Sequence, residues 1–187
     1  MSTLTVYSDS NSQQPRTQTN DPATITTELA AAGIRFEQWQ TRDDIQAGDS
    51  QERVLKAYAS DVQRLINEQG YQSVDVISID RHNPQKDALR QKFLAEHTHS
   101  EDEVRFFVQG QGLFALHLGD QVFEILCEKG DLLSVPANTQ HWFDLGPEPD
   151  LVAIRFFNNP DGWVANYTGS DIAEHYSRIE SRIAASQ

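Results

Sequence analysis

Apolar residues along this chain follow two rhythms, and the change between them divides it. Between Ser50 and Gly70, the residues Val54, Tyr58, Val62, Leu65 and Ile66 recur at helical spacing and predict one helix with a single buried stripe. From Val74 onward the period is two. The runs VDVISID, EVRFFVQ, GLFALHLG, QVFEILCE, DLLSVP, HWFDLG and LVAIRFF are short and rich in β-branched and aromatic residues. The turns between them include GQG, LGDQ and EKGD. Closely spaced strands with such turns indicate an antiparallel barrel or double-sheet jelly roll, not a βαβ repeat.

The flanks add helices. Asp21-Pro22 supplies an N-cap followed by proline at the first helical position, and Gly33 is a suitable stop. Ahead of that helix, Leu4 to Tyr7 alternates like an edge strand, and the polar tract from Ser8 to Asp21 reads as a loop. At the other end, DIAEHYSRIESRIAA from Asp171 places Ile172, Tyr176, Ile179 and Ile183 on one side of a single terminal helix. The expected fold is mainly β with peripheral α-helices, in one domain over 1–187. Its parts are a helical and edge-strand portion (1–72), a barrel (73–160) and a helical tail (161–187).

Composition narrows the function. A chain of 187 residues with nine Phe, five Tyr and three Trp can build a core without disulfides. Twenty-eight acidic against fifteen basic side chains give a formal charge of -13, which argues against nucleic acid and anionic membrane surfaces as partners. The single cysteine, Cys127, excludes a disulfide framework and reads as a buried structural thiol. With no secretory signal at the N-terminus and no run of about 20 apolar residues, the chain reads as cytoplasmic.

The densest chemistry is in AEHTHSEDEVRFFVQGQG, Ala95 to Gly112. On a strand, His97 and His99 project from one face, so both imidazoles can reach one point. Glu103 opens the next β run and can return a carboxylate oxygen to it, and His141 supplies a fourth donor from GDLLSVPANTQHW. Three imidazoles and one carboxylate leave about two positions of an octahedral ion open, which suits Fe(II), Ni(II), Mn(II) or Co(II) better than a closed structural zinc site. Arg105 and Phe107 share the parity of Glu103, and Phe143 shares that of His141. A guanidinium and two aromatic walls therefore face the same interior. Arg155, in LVAIRFF, is read with equal weight as a contact to a substrate oxygen or as half of an ion pair. His82, His117 and His175 fall outside the ligand spacing and are read as non-ligands, although His117 could face the barrel interior.

The spacing continues past the ligands. His-x-His-x3-Glu-x6-Gly spans His97 to Gly110, and Gly-x5-Pro-x-Asn-x2-His spans Gly130 to His141. This pair resembles the two signatures of the cupin superfamily of double-stranded β-helix barrels. Asn138 stands where glycine is usual and Leu145 where asparagine often follows the histidine; neither is a ligand. The longer strings EHTHSEDEVRFFVQGQG and PANTQHWFDLG are similar to those of the acireductone dioxygenase family, and the likeness runs through most of the chain. It implies an oxidoreductase of methionine salvage that holds one Fe(II) or Ni(II) per chain; the helices available to cover the barrel's outer faces favour a monomer. Its small-molecule substrate is an acireductone, cleaved with O2. It also implies ligation by His97, His99, Glu103 and His141, and a part for Arg105 in forming the substrate dianion. From parity, Phe107 and Phe143 are the candidates to receive the thioether tail. Trp163 is the candidate for the mouth and Arg155 a candidate substrate contact on the terms given above, while the resemblance gives Glu96 and Asp102 outer roles in metal loading and in relaying conformational change. Against this stand another cupin dioxygenase or isomerase, and a metal-holding cupin that binds a small molecule without turnover.

Overall fold

The computed structural model describes residues 1–159 and 164–185. Two antiparallel sheets face each other across an apolar interior. The elements in chain order are β1 (Thr3–Ser8), β2 (Thr17–Thr19), α1 (Pro22–Ala31), β3 (Arg35–Gln38), α2 (Gln51–Ala57), α3 (Ala59–Gln69), β4 (Ser73–Ile79) and α4 (Lys86–Leu94). They continue with β5 (His97–Thr98), β6 (Glu103–Gln109), β7 (Gln111–Leu118), β8 (Gln121–Glu128), β9 (Asp131–Val135), β10 (Gln140–Asp144), β11 (Leu151–Phe157), β12 (Asn166–Tyr167) and α5 (Ile179–Ala185). One sheet runs β12-β5-β10-β7-β8-β1-β2 and the other β3-β9-β6-β11-β4. This is the jelly-roll barrel with peripheral helices that the period-two runs predict.

Strand parity sorts the side chains. The inward positions Phe107 of β6, Phe114 of β7, Cys127 of β8, Phe143 of β10 and Ala153 of β11 form one buried cluster between the sheets. The alternate positions of β6 and β11 (Val104, Phe106, Ile154, Phe156) pack outward under α2 and α3 with Trp39 and Tyr58. The outer face of the seven-stranded sheet carries smaller clusters, Ala115, Trp142 and Tyr176 in one and Leu113, Leu126 and Ile179 in another. No helix among the described residues is long and apolar enough to cross a membrane.

Several elements differ from expectation. The helix expected from Ser50 to near Gly70 is two helices, interrupted at Tyr58 (φ -109°, ψ 19°). Tyr58 is fully buried, and its hydroxyl accepts from Arg42 N, so the bend serves its ring's place against Phe106. β1 is not an edge strand, because β2 folds back from within the polar tract and pairs with it (Thr5↔Gln18). The expected terminal helix is a 3-10 turn over Ile172–His175 followed by α5. Between them Tyr176 is extended, and its hydroxyl donates to Ser8 O. β3 and α4 carry no strong periodic signal, though Leu89 and Phe93 form an apolar i,i+4 pair that marks α4's buried side.

Candidate metal centre

The two sheets contribute different donors to one point. His97 on β5 and His141 on β10 are registered partners across the seven-stranded sheet. His99 follows directly after β5, and Glu103 opens β6 of the opposing sheet. All four side chains are nearly inaccessible, at 1–4% exposure, so any charge here must be met inside the protein. Ligand nitrogens of His97, His99 and His141 lie within 4.8 Å of one another. Glu103 Oε2 lies 2.9 Å from His141 Nε2 and 3.2 Å from His99 Nε2. Two donors about 2.1 Å from one ion and at right angles to each other are about 3.0 Å apart, so these are the separations of adjacent ligands on an octahedral ion.

The remaining ring nitrogens settle the tautomers. Nδ1 of His97 donates to Ala95 O at 2.7 Å, Nδ1 of His141 to Thr139 O at 2.8 Å, and Nδ1 of His99 to Val164 O at 3.2 Å. A carbonyl only accepts, so each Nδ1 carries its proton and each Nε2 keeps its lone pair for a metal. Burial, reinforced by the neighbouring His141, lowers the His97 pKa to about 4, which keeps that imidazole neutral near pH 7. Burial alone would raise the Glu103 pKa. The Arg105 guanidinium instead holds the carboxyl well below its usual range. Three imidazole nitrogens with one ionised carboxylate fit a divalent first-row cation.

The backbone supports this arrangement. Asn138 has φ 63°, the left-handed region where glycine is the usual residue and asparagine is tolerated. The departure from the cupin pattern at this position is therefore conformationally conservative. Asn138 N donates to His99 O at 2.7 Å, tying the His141 approach to the His97–His99 segment. Asp102 Oδ1 accepts from Ala137 N and braces the same loop. Glu96 is buried beside His97 and binds His117 Nδ1 through Oε2 (2.8 Å) and Thr168 Oγ1 through Oε1 (2.7 Å). His117 thus faces Glu96 on the outer side of β7, away from the interior cluster.

Beyond the ligands, Arg105 is 3% exposed, with a terminal nitrogen 2.7 Å from Glu103 Oε1. Its guanidinium carbon lies over the rings of Phe143 (4.6 Å), Phe114 (5.4 Å) and Phe93 (5.8 Å). Burial and the neighbouring Arg155 push its pKa down while Glu103 opposes the shift. Arg155 is the registered partner of Arg105 across β11 and β6, and makes a two-pronged pair with Asp75 at 2.8 and 2.6 Å. Phe107 and Phe143 are both buried in the interior cluster. Phe93 and Phe114 join this wall without having been anticipated; parity with Gly112 and Leu116 could have identified Phe114. Trp163 lies outside the described residues. Exposed His82 and His175 contribute nothing to the site.

Comparison with known proteins agrees with this geometry. A family profile described as the ARD/ARD' family matches residues 3–165. The chain is 57% identical over 178 residues to an acireductone dioxygenase of Alcanivorax borkumensis, covering 95% of this chain and 98% of that protein. It is 56% identical over 179 residues to one from Citrobacter koseri, covering 96% and 99% respectively. Among solved structures it resembles an acireductone dioxygenase from Bacillus anthracis with a cadmium ion in its active centre. The TM-score is 0.77 and the identity 30%, with 89% of this chain and 98% of that one covered.

Proposed function

This chain belongs to the acireductone dioxygenase family, and we propose that its metal centre cleaves 1,2-dihydroxy-3-keto-5-(methylthio)pentene with O2 in methionine salvage. The products are formate and 2-keto-4-methylthiobutyrate. One observation supports this reading: ring nitrogens of the buried His97, His99 and His141 lie within 4.8 Å of one another, with Glu103 Oε2 against His141 and His99 and the buried Arg105 guanidinium against Glu103 Oε1. His97, His99, Glu103 and His141 would hold one Fe(II) or Ni(II) per chain. When bound, the ion would chelate adjacent substrate oxygens and favour their ionised form.

The chain's own groups do the rest. Nδ1–carbonyl bonds keep the three imidazoles oriented, each with Nε2 turned from the carbonyl. Arg105 faces the enediol and stabilises the anion left when its proton departs; its planar fork suits adjacent oxygens. Arg155, held by Asp75, adds a second positive charge beside Arg105 and orients the ketone end. Phe107 and Phe143 receive the methylthioethyl tail through apolar and sulfur–aromatic contact. Glu96 and Asp102 steady the ligand loops. The electrons that reduce O2 come from the enediol, so the protein has no reductant to supply. We read the enzyme as a cytoplasmic monomer acting as a single domain over 1–187.

Three histidines and a carboxylate discriminate weakly among late first-row ions, and intrinsic affinity rises from Fe(II) to Ni(II). The ion loaded then follows supply, and the nickel form gives carbon monoxide, formate and methylthiopropionate. The test strips the protein, reloads it with each metal separately, and measures O2 uptake and products with synthetic acireductone. Two product sets from one polypeptide are expected. Identical products from both loaded forms would assign the outcome to the pocket alone, and no O2 uptake with either would overturn the reading.

A further inference from the structure

Gly112 is part of the GQG segment, yet it does not serve a turn. Gly110 does, with φ 78° at the β6–β7 connection, whereas Gly112 lies inside β7 and is absent from the left-handed positions. Its backbone conformation is open to any residue. What excludes a side chain is space. A Cβ on Gly112 would sit 2.3 Å from Cζ and 2.4 Å from Cε2 of Phe143, and 3.4 Å from Cε1 of Phe107. The Phe143 ring occupies the place of the missing side chain.

Of the rings of Phe143, Phe114 and Phe93, that of Phe143 lies nearest the Arg105 guanidinium. It lies 4.6 Å from the guanidinium carbon and 4.6 Å, centroid to centroid, from Phe114. Arg105 is thus held between Glu103 Oε1 on one side and the Phe143 ring on another. The residue opposite Gly112 on β8 is Cys127, also small and fully buried. A methyl at 112 would force the ring's end to retreat by more than about 1 Å, from 2.3 Å to at least the 3.4 Å of ordinary contact. With Phe107 beside the same point and Phe114 4.6 Å from the ring, the displaced ring cannot keep its present seat, 4.6 Å from the guanidinium carbon.

We propose that Gly112 is a positioning residue for catalysis: its absent side chain seats the Phe143 ring, and the ring fixes Arg105 in the orientation that ionises the substrate. The inference rests on the assignment of Arg105 to the enediolate given above. A misplacement of about 1 Å in a positioned group can cost on the order of 100-fold in rate. Gly112→Ala therefore keeps its metal and loses at least about tenfold in kcat, with a smaller change in KM.

The experiment measures substrate ionisation by absorbance on anaerobic mixing, with metal content and melting temperature, for five proteins. These are the parent, Gly112→Ala, Phe143→Leu, the Gly112→Ala/Phe143→Leu double variant and Arg105→Ala. Gly112→Ala is expected to bind metal but ionise the substrate poorly. Because Gly112 acts only through the ring, the two proteins carrying Phe143→Leu are expected to ionise the substrate equally. That pair carries the test even where Gly112→Ala alone does not fold, since the ring's end is gone from both. Normal ionisation by Gly112→Ala, or unequal ionisation within the Phe143→Leu pair, would overturn the inference. Arg105→Ala separates the two levels. If it ionises substrate as the parent does, the assignment of Arg105 falls. If it fails while Gly112→Ala succeeds, only the role of Gly112 falls.

Discussion

The two sheets of the barrel share one interior but differ in what they bring to it and in how they are covered. The seven-stranded sheet and its extension supply three imidazoles; the five-stranded sheet supplies Glu103 and Arg105 with Arg155 alongside. Their outer faces diverge further. Behind the five-stranded sheet, Phe106, Ile154 and Phe156 are sealed by α2 and α3 through apolar contact. Behind the seven-stranded sheet, the C-terminal segment is held by two buried carboxylates. Glu124 binds Ser177 N and pairs with Arg182, while Asp144 binds Arg90 and Ile179 N. One face relies on non-directional burial, and the other adds directional charge to its smaller apolar clusters. The sheet that carries Glu103 and Arg105 is thus backed by apolar packing, and the sheet that carries the histidines by ion pairs as well.

The most severe break is at the junction of the sheets. His141→Ala removes a nitrogen that both sheets depend on, through its register with His97 and its contact with Glu103. Metal content should fall from about one ion per chain to near zero, with activity falling to background. Inductively coupled plasma analysis of the purified variant checks this, and full occupancy would remove His141 from the ligand set.

The next prediction separates the two outer faces. Phe106 is fully buried and packs against Trp39 (4.6 Å) and Tyr58 (5.1 Å). Phe106→Ala should cost about 3–5 kcal/mol with little dependence on salt, since it removes apolar contact. Arg182→Met should cost less, about 1–3 kcal/mol, because Glu124 keeps the Ser177 N–H although it loses its cation. Hydrogen exchange should place the second loss in 176–185, whereas Phe106→Ala lowers protection in α2 and α3. Uniform loss across the chain in both variants would abolish the contrast between the faces.

That contrast also explains what the amino-acid order reveals. The inner faces are legible because strand parity is local: Glu103, Arg105 and Phe107 declare a shared side within five residues, and His97 and His99 within three. The ion-pair clamps are not legible. Asp144 meets Arg90 across fifty-four residues and Glu124 meets Arg182 across fifty-eight, and no period connects such partners. Arg155 shows the same limit, since Asp75, eighty residues away, decides which contacts its fork makes. The Tyr58 bend is hidden because apolar spacing alone does not report a hydroxyl that must reach Arg42 N. The stripe through Val54 and Leu65 is the same whether the helix is continuous or broken.

The smallest expected effect is a pH dependence confined to the charged face. Burial would raise the Asp144 pKa. The Arg90 fork at 2.7 and 3.0 Å, with N–H donors from Gly146 and Ile179, outweighs it and holds the carboxyl below its usual value. A carboxylate whose folded pKa lies below its unfolded one, about 3.9, stabilises the native state fully above that unfolded value. The contribution is lost as pH falls through the folded pKa, so it fades from about pH 4 downward and is complete near pH 7. The consequence is local. Arg90 also grips Glu180 of α5, so protonating Asp144 frees both α4 and the C-terminal segment from β10. Hydrogen exchange between pH 5 and pH 3, corrected for intrinsic rates, should show 176–185 and α4 loosening before α2 and α3. In Asp144→Asn the segment should already be looser at pH 7, and its remaining change with pH should be shallower. If both outer faces loosen together in the parent, or if Asp144→Asn keeps the parent's pH profile, the carboxylate does not anchor the seven-stranded face.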